Sequence, residues 1–113
     1  MDMFSALADP TRRTILEMLA NNGPLSATEI YKHFPVSPPA ISQHLKVLRE
    51  AKVVLVEKRA QQRLYQLNPD ALVTLEVWIK HLTQIWNERF DALEAEIKNF
   101  EKNDMERTNH YGR

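Results

Sequence analysis

The side chains best suited to hydrogen-bond a ligand lie in the stretch VSPPAISQHLKVLRE, residues 36–50. Its two prolines are tolerated only in the first turn of a helix, so the stretch predicts a helix from about Pro39 to Ala51. Its apolar residues recur at i, i+4 and i+7, which places them on one buried face: Ile41, Leu45 and Leu48. The polar residues of the same stretch therefore face outward.

The outward face of this helix carries side chains that can contact nucleic acid. An amide such as Gln43 can pair with adenine through two hydrogen bonds, and a hydroxyl such as Ser42 can donate to or accept from several base edges. Lys46 and Arg49 suit phosphates, and Pro39 lies on the same face. A helix that reads DNA is one interpretation of this face, and a helix that only packs a core is the other.

Charge is unevenly distributed along the 113 residues, although the formal net charge is zero. Residues 32–63 contain seven basic and two acidic side chains, whereas residues 84–106 contain three basic and seven acidic ones. A basic middle segment favours a nucleic-acid partner, with a merely solvated surface as the alternative.

Three shorter helices precede this stretch. Residues 2–8 predict the first, and Asp9 as N-cap, Pro10 at the first position and Gly23 as terminator predict the second. Ser26 and Glu29 have the spacing of a capping box, which predicts the start of the third helix.

The residues after Lys52 change from helical to β-strand patterning. VVLVEKR and RLYQL predict a β-hairpin, and its link Ala60-Gln61-Gln62 lacks glycine and asparagine, so a tight two-residue turn is not expected. The predicted tip carries a polar and basic cluster: Lys58, Arg59, Gln61, Gln62 and Arg63. This cluster could bind phosphate or enter the minor groove, and a soluble turn with no binding role is the alternative.

A long helix is predicted from about Asp70, after a possible N-cap and first-turn proline at Asn68-Pro69. Its apolar residues form one continuous stripe: Leu72, Leu75, Ile79, Leu82, Trp86, Phe90, Leu93, Ile97 and Phe100. Such a stripe usually lies against another helix, and an internal core helix is the alternative. Residues 103–113 are expected to be a disordered tail.

Several classes of protein are disfavoured by the sequence. With no cysteine there is no disulfide, thiolate metal site or cysteine nucleophile. The longest purely apolar run is residues 53–56, far short of a membrane span, and the N-terminus does not resemble a signal peptide. We therefore expect a soluble cytoplasmic protein. No Gly-rich phosphate loop is present, and Ser42 and His44 lie on different helix faces, so an enzyme is not expected.

The element order predicts a mainly α fold with a small β-hairpin, which is a winged helix-turn-helix domain followed by a long C-terminal helix. We assign residues 1–69 to the winged domain, residues 70–102 to a dimerisation helix that belongs to the same domain, and residues 103–113 to the tail.

Three segments resemble the ArsR-type winged-helix repressors of bacteria: FSALADPTRRTILEML, LSATEIYKHFPVSPPAISQHLKVLREAKVV and RLYQLNP. The segment WIKHLTQIWNERFDALEAEI is most similar to the branch of SdpR-type autorepressors. The resemblance implies a homodimer, formed mainly through the terminal helices, that binds a palindromic operator in or near its own promoter.

The resemblance also implies where each surface lies. It places family recognition-helix positions at Ser42, Gln43, His44 and Lys46, and family wing positions at Arg59 and Arg63. The full set expected to contact double-stranded DNA is Ser37, Pro39, Ser42, Gln43, His44, Lys46, Arg49, Lys58, Arg59 and Arg63. The set expected at the dimer interface is Phe4, Leu72, Leu75, Ile79, Leu82, Trp86, Phe90, Leu93 and Ile97. For His44, a local hydrogen bond at the edge of the buried face is an equally good interpretation.

The sequence departs from the family at two turns and at the family's metal sites. Family members usually have glycine at the position of Lys52 and at the wing tip, so Lys52 implies either a different helix cap or strain of about 1 kcal/mol. The family's thiolate site needs a Cys-x-Cys pair where this chain has SATEIYKHF, and the terminal helix has only His81 for a histidine site. No metal and no other cofactor are expected. The alternative function is a winged-helix module that binds another protein through the long helix, with weak or no DNA binding.

Overall fold

The computed structural model describes the backbone of residues 2–111 and the side chains of residues 2–105. Its elements are α1 (Met3–Leu7), α2 (Pro10–Asn22), β1 (Leu25–Ser26), α3 (Ala27–Tyr31), α4 (Pro38–Glu50), β2 (Val54–Arg59), β3 (Gln62–Leu67) and α5 (Pro69–Tyr111). The chain divides into two compact units, the first ending at Thr74 and the second beginning at Leu75. The first turns of α5 thus belong to the first unit, whereas the sequence analysis placed a boundary at residue 69.

The helix starts of the first unit are fixed by side chains that accept hydrogen bonds from free backbone N–H groups. The Asp9 carboxylate accepts from the backbone N–H of Arg12 at 3.0 Å, and Pro10 opens α2. At α3 the Ser26 hydroxyl accepts from the N–H of Glu29 at 3.2 Å, while the Glu29 carboxylate accepts from the N–H of Ser26 at 3.3 Å. The predicted cap and capping box are therefore confirmed.

The core of the first unit consists of ten buried side chains drawn from α1 to α4, the sheet and the turn before β2: Ala6, Ile15, Leu19, Ile30, Ile41, Leu45, Leu48, Val53, Val54 and Tyr65. Burying one large aliphatic side chain contributes about 1.5–3 kcal/mol, so this cluster determines how α4 is rotated. Three of its members come from α4, and they are the three that the sequence predicted. The opposite face of α4 is consequently held toward solvent.

The sheet has three antiparallel strands in the order β1-β3-β2. β2 and β3 form the predicted hairpin, in register from Val54 opposite Leu67 to Arg59 opposite Gln62. The third strand, β1, pairs Leu25 with Tyr65 and was not predicted, because two residues are too few to show an alternating pattern.

The turn of the hairpin corrects the expectation of a longer link. Arg59 pairs directly with Gln62, so only Ala60 and Gln61 form the turn. Ala60 has φ of 53°, in the left-handed region that a two-residue hairpin turn requires and that glycine usually occupies. The β2–β3 hairpin, which is the wing of this fold, therefore has a two-residue turn without glycine, and the backbone of Ala60 is strained.

The end of α4 has the hydrogen bonds of a Schellman motif. The N–H of Val53 donates to the carbonyl of Leu48 at 3.0 Å, and the N–H of Lys52 donates to the carbonyl of Arg49 at 3.0 Å. Lys52 has φ of 61°. The sequence left two alternatives open, a different helix cap or backbone strain at Lys52. The structure shows the usual left-handed cap, with the strain on Lys52.

α4 and α5 both exceed their predicted bounds. α4 begins at Pro38, one residue earlier than expected, and the Ser37 hydroxyl accepts from the N–H of Ala40 at 3.4 Å. α5 runs to Tyr111, where a disordered tail was predicted from residue 103; no proline or glycine occurs before Gly112 to end it. Residues 112 and 113 of that predicted tail lie outside the described part of the chain. No helix within residues 2–111 has an apolar run long enough to cross a membrane.

Candidate nucleic-acid interface

A groove of about 520 Å³ lies in the first unit between α3, α4 and the β2–β3 hairpin. Its lining residues are Ser26, Ala27, Thr28, Tyr31, Ser42, Lys46, Arg49, Gln61, Gln62, Arg63 and Tyr65. Four residues predicted to contact DNA therefore meet in one place, three from α4 and Arg63 from the hairpin. The core packing of α4 and the tight turn of the hairpin bring Ser42 and Arg63 to the same groove, although they are 21 positions apart in the sequence.

The groove carries positive charge and many hydrogen-bonding groups. Lys46, Arg49 and Arg63 contribute three cations, and no acidic residue is among the described side chains that line it. None of the three cations forms an ion pair with another described side chain. A concave cationic surface with free donors is suited to a polyanion such as the nucleic-acid backbone.

The other predicted contact residues lie outside the lining of the groove. Ser37, Pro39 and Gln43 are exposed at the N-terminal part of α4. Lys58 and Arg59 are exposed on β2, where the Arg59 Nε lies 3.5 Å from the Glu57 carboxylate. An ion pair this exposed is worth little and is broken readily by a competing phosphate.

The N-terminus of α4 offers few backbone donors to an anion. Pro38 and Pro39 have no N–H, and the N–H of Ala40 is already accepted by Ser37. A phosphate at this end of α4 would therefore have to be bound by side chains rather than by the backbone.

His44 is half-buried and belongs to a cluster that joins α2 to α4. Its Nδ1 lies 3.3 Å from an Nη of Arg12 and 3.8 Å from the Asp9 carboxylate. A guanidinium only donates, so the contact with Arg12 uses Nδ1 as an acceptor. The backbone N–H of Arg12 holds the pKa of Asp9 below its ordinary value, and the charge of Arg12 adds to this effect. The local hydrogen bond, which was one of the two interpretations of His44, is present.

Arg12 also ties α1 to α2. Its Nε donates to the carbonyl of Ala6 at 2.6 Å, and an Nη donates to the carbonyl of Ser5 at 3.2 Å. No periodic pattern in the sequence identifies this residue, because its contacts are with backbone carbonyls and with a histidine 32 positions away.

Tyr31 is the most informative residue that the sequence analysis missed. Its hydroxyl lies 2.7 Å from the Oγ of Ser42, which links α3 to the outward face of α4 inside the groove. The Ser26–Glu29 capping box predicted only where α3 begins and left Tyr31 without a role. Only the packing of α3 against α4 shows that the two hydroxyls meet.

The predicted dimer-interface residues are mostly exposed in the single chain. Leu75 is half-buried, and the exposed fractions of the other eight range from 43% for Leu72 to 65% for Trp86. In the second unit, Trp78 and Ile85 flank the stripe and are also exposed, so its apolar surface is wide near Trp86. A monomeric soluble protein rarely exposes such a continuous apolar surface.

Among the side chains of residues 2–105, no group of three His, Asp or Glu residues is placed to hold one metal ion.

Comparison with known proteins identifies the class of domain to which this surface belongs. Residues 9–55, from the N-cap of α2 into β2, match the family model described as bacterial regulatory protein, arsR family. The HTH-type transcriptional regulator Rv2034 of Mycobacterium tuberculosis is 46% identical over 85 residues, covering 71% of this chain and 78% of the relative. The transcriptional repressor SdpR of Bacillus subtilis is 38% identical over 78 residues, covering 69% of this chain and 86% of SdpR. A solved ArsR-like transcriptional regulator from Rhodococcus sp. RHA1 superposes with a TM-score of 0.70 at 29% identity, covering 80% of this chain and 84% of that one.

Proposed function

Because the chain belongs to the ArsR family of bacterial regulatory proteins, we propose that it represses transcription by binding a palindromic DNA site as a homodimer. As a member of this family it is a DNA-binding transcriptional regulator and not an enzyme. The cationic groove is the observation that supports DNA binding through α4 and the wing, because residues of both elements line it.

In the proposed complex, α4 enters the major groove and its N-terminal half meets the base edges. Gln43 is exposed and has an amide that can pair with adenine, so we assign it the main reading role. Phosphates on either side are bound by the cations of α4 and the wing. The proposed contact set is Ser37, Pro39, Ser42, Gln43, Lys46, Arg49, Lys58, Arg59 and Arg63, with His44 at its edge.

The second copy is proposed to pack along the apolar stripe of α5 and on Phe4. A twofold dimer presents two α4 helices, and these would enter successive major grooves about 34 Å apart on a palindrome. Occupation of a promoter by such a dimer would exclude RNA polymerase. Since SdpR is named a transcriptional repressor, and the α5 segment resembles its branch, we include the chain's own promoter among the proposed sites.

No metal effector is part of the proposal. Some relatives are named arsenical resistance operon repressors, such as the one from Staphylococcus xylosus, which is 36% identical over 70 residues. The present chain has no cysteine, so it has no thiolate with which to bind arsenic or a soft metal.

Selection of bound duplexes from a random DNA pool tests the proposal, followed by fluorescence anisotropy on the selected site. We expect a palindrome, and we expect Gln43→Ala to lose about tenfold of the preference for one base pair in each half-site. Gln84→Ala is the matched control, because it removes the same amide from α5, where Gln84 donates a hydrogen bond to the Glu88 carboxylate. Equal specificity of the two variants would show that α4 does not read bases through Gln43.

The same anisotropy titration distinguishes the proposed repressor from the alternative, a module that binds only proteins. The exposed stripe of α5 is the observation that favours this alternative. A protein-only module would show no DNA selection and no salt-dependent binding.

A further inference from the structure

Ser42 differs from three other hydroxyl residues on the helices, Thr14, Thr74 and Thr83. Thr14, Thr74 and Thr83 each donate to the carbonyl four residues earlier, at 3.1, 3.0 and 2.9 Å. Within residues 2–105, the hydrogen bond of Ser42 goes instead to the Tyr31 hydroxyl at 2.7 Å. The Ser42 oxygen is thereby held in one orientation inside the groove.

The direction of this hydrogen bond follows from the chemistry of the two hydroxyls. A phenolic O–H is more acidic than an aliphatic O–H and is therefore the better donor, while an aliphatic oxygen is the better acceptor. Tyr31 should accordingly donate to Ser42. The O–H of Ser42 is then free of any partner in the described part of the chain and points away from the phenol.

We propose that Tyr31 is a positioning residue for base recognition: by donating to one lone pair of Ser42, it holds the serine side chain so that its O–H faces the base and requires an acceptor there. This inference rests on the proposed function and deepens it. In the major groove, guanine offers N7 and O6, adenine offers N7 and thymine offers O4, whereas cytosine offers only its amino group. Cytosine opposite Ser42 would leave the serine O–H without a partner once DNA has displaced water from the groove.

The expected result is a position in each half-site where the wild-type protein rejects cytosine. We expect cytosine there to weaken binding about tenfold per half-site relative to the preferred base. Ser42→Ala identifies the position, because it abolishes the preference there and nowhere else. Tyr31→Phe should reduce the discrimination against cytosine to about twofold, since the serine side chain is then no longer held with its O–H toward the base, and either lone pair can accept from the cytosine amino group.

The experiment measures, by fluorescence anisotropy, the affinity of the full chain for the selected duplex and for versions of it that carry each of the four bases in turn at each position. Tyr65→Phe is the matched control, because it removes another phenolic hydroxyl from the lining of the same groove, and Tyr65 has no hydrogen bond to Ser42. A duplex with 7-deazaguanine at the position of interest tests whether N7 is the acceptor. A general loss of affinity by Tyr31→Phe at all positions would indicate a structural role and overturn the proposal.

Two further outcomes would also overturn it. One is a wild-type preference for cytosine at the Ser42 position, which would mean that Ser42 donates to Tyr31. The other is a Tyr31→Phe profile identical to that of Tyr65→Phe.

A measurement without DNA distinguishes failure of this inference from failure of the proposed function. The urea midpoints of Tyr31→Phe, Ser42→Ala and the double variant should show coupling, because each single change breaks the same hydrogen bond. Coupling in a protein that binds no DNA would refute the proposed function and with it the reading role. Specific DNA binding without coupling would refute the role of Tyr31 alone.

Discussion

Replacing Lys52 by glycine should stabilise the protein. Lys52 occupies the left-handed position of the Schellman motif with φ of 61°, and a residue with a Cβ is strained there by about 1–2 kcal/mol. Glycine removes that strain but gives the unfolded chain more freedom, which costs about 0.4–1 kcal/mol. The expected net gain is about 0.5–1 kcal/mol in the free energy of unfolding.

The hydrogen bonds around Lys52 involve only its backbone, so the substitution should leave them intact. Its N–H donates to Arg49, and its carbonyl accepts from the Asn68 side chain at 2.8 Å. Lys52→Ala is the matched control, because it removes the same charge and long side chain but keeps a Cβ and hence the strain.

Equilibrium unfolding in urea, at one fixed protein concentration, measures the effect. We expect the free energy of unfolding of Lys52→Gly to exceed that of Lys52→Ala by about 0.5–1 kcal/mol. This difference corresponds to roughly 2–4 °C in Tm for a domain of this size. A glycine variant no more stable than the alanine variant would refute the argument from strain.

Three further predictions concern the wing, the start of α2 and the second unit. Ala60→Gly should stabilise the fold by about 0.5–1 kcal/mol in urea unfolding, because φ of Ala60 is 53°, whereas Gln61→Gly, whose φ is not positive, should not. Asp9→Ala should cost about 1 kcal/mol at neutral pH through loss of the N-cap, and Asp9→Asn should cost only a few tenths. Since the folded state lowers the pKa of Asp9, its charge stabilises the fold above the pKa of the unfolded chain, and this stabilisation is lost as pH falls through the folded pKa. The difference between wild type and Asp9→Asn should therefore shrink below about pH 4, and a constant difference would contradict the assignment. Leu82→Glu should convert the proposed dimer to monomer in sedimentation velocity while Asn87→Glu, off the stripe, should not; a dimer that survives Leu82→Glu would place the interface elsewhere.

Local signals in the sequence were sufficient for most of the helix starts. Asp9, Ser26 and Glu29 act on N–H groups three residues away, so their roles can be predicted from spacing alone. The buried face of α4 was predictable for the same reason, because one period of the helix determines which residues share a face. The outward face followed as its complement.

The features that the sequence did not predict depend on contacts between distant segments. β1 exists because Leu25 meets Tyr65, and the Tyr31–Ser42 hydrogen bond exists because α3 packs on α4. The tight wing turn was missed for a different reason. Pairing along β2 and β3 stabilises a two-residue turn strongly enough to hold Ala60 in a conformation that its own preference opposes.

The groove between α4 and the wing is proposed to bind DNA phosphates, and the salt dependence of DNA binding tests this proposal. Each phosphate contact contributes about 0.9 to the slope of log K against log salt concentration, and a dimer loses two contacts for each cation replaced. Lys46→Ala and Arg63→Ala should each lower the slope by about two on the selected duplex, whereas replacing Lys102, another exposed cation that does not line the groove, by alanine should leave the slope unchanged. Identical slopes for all three variants and the wild type would contradict the account.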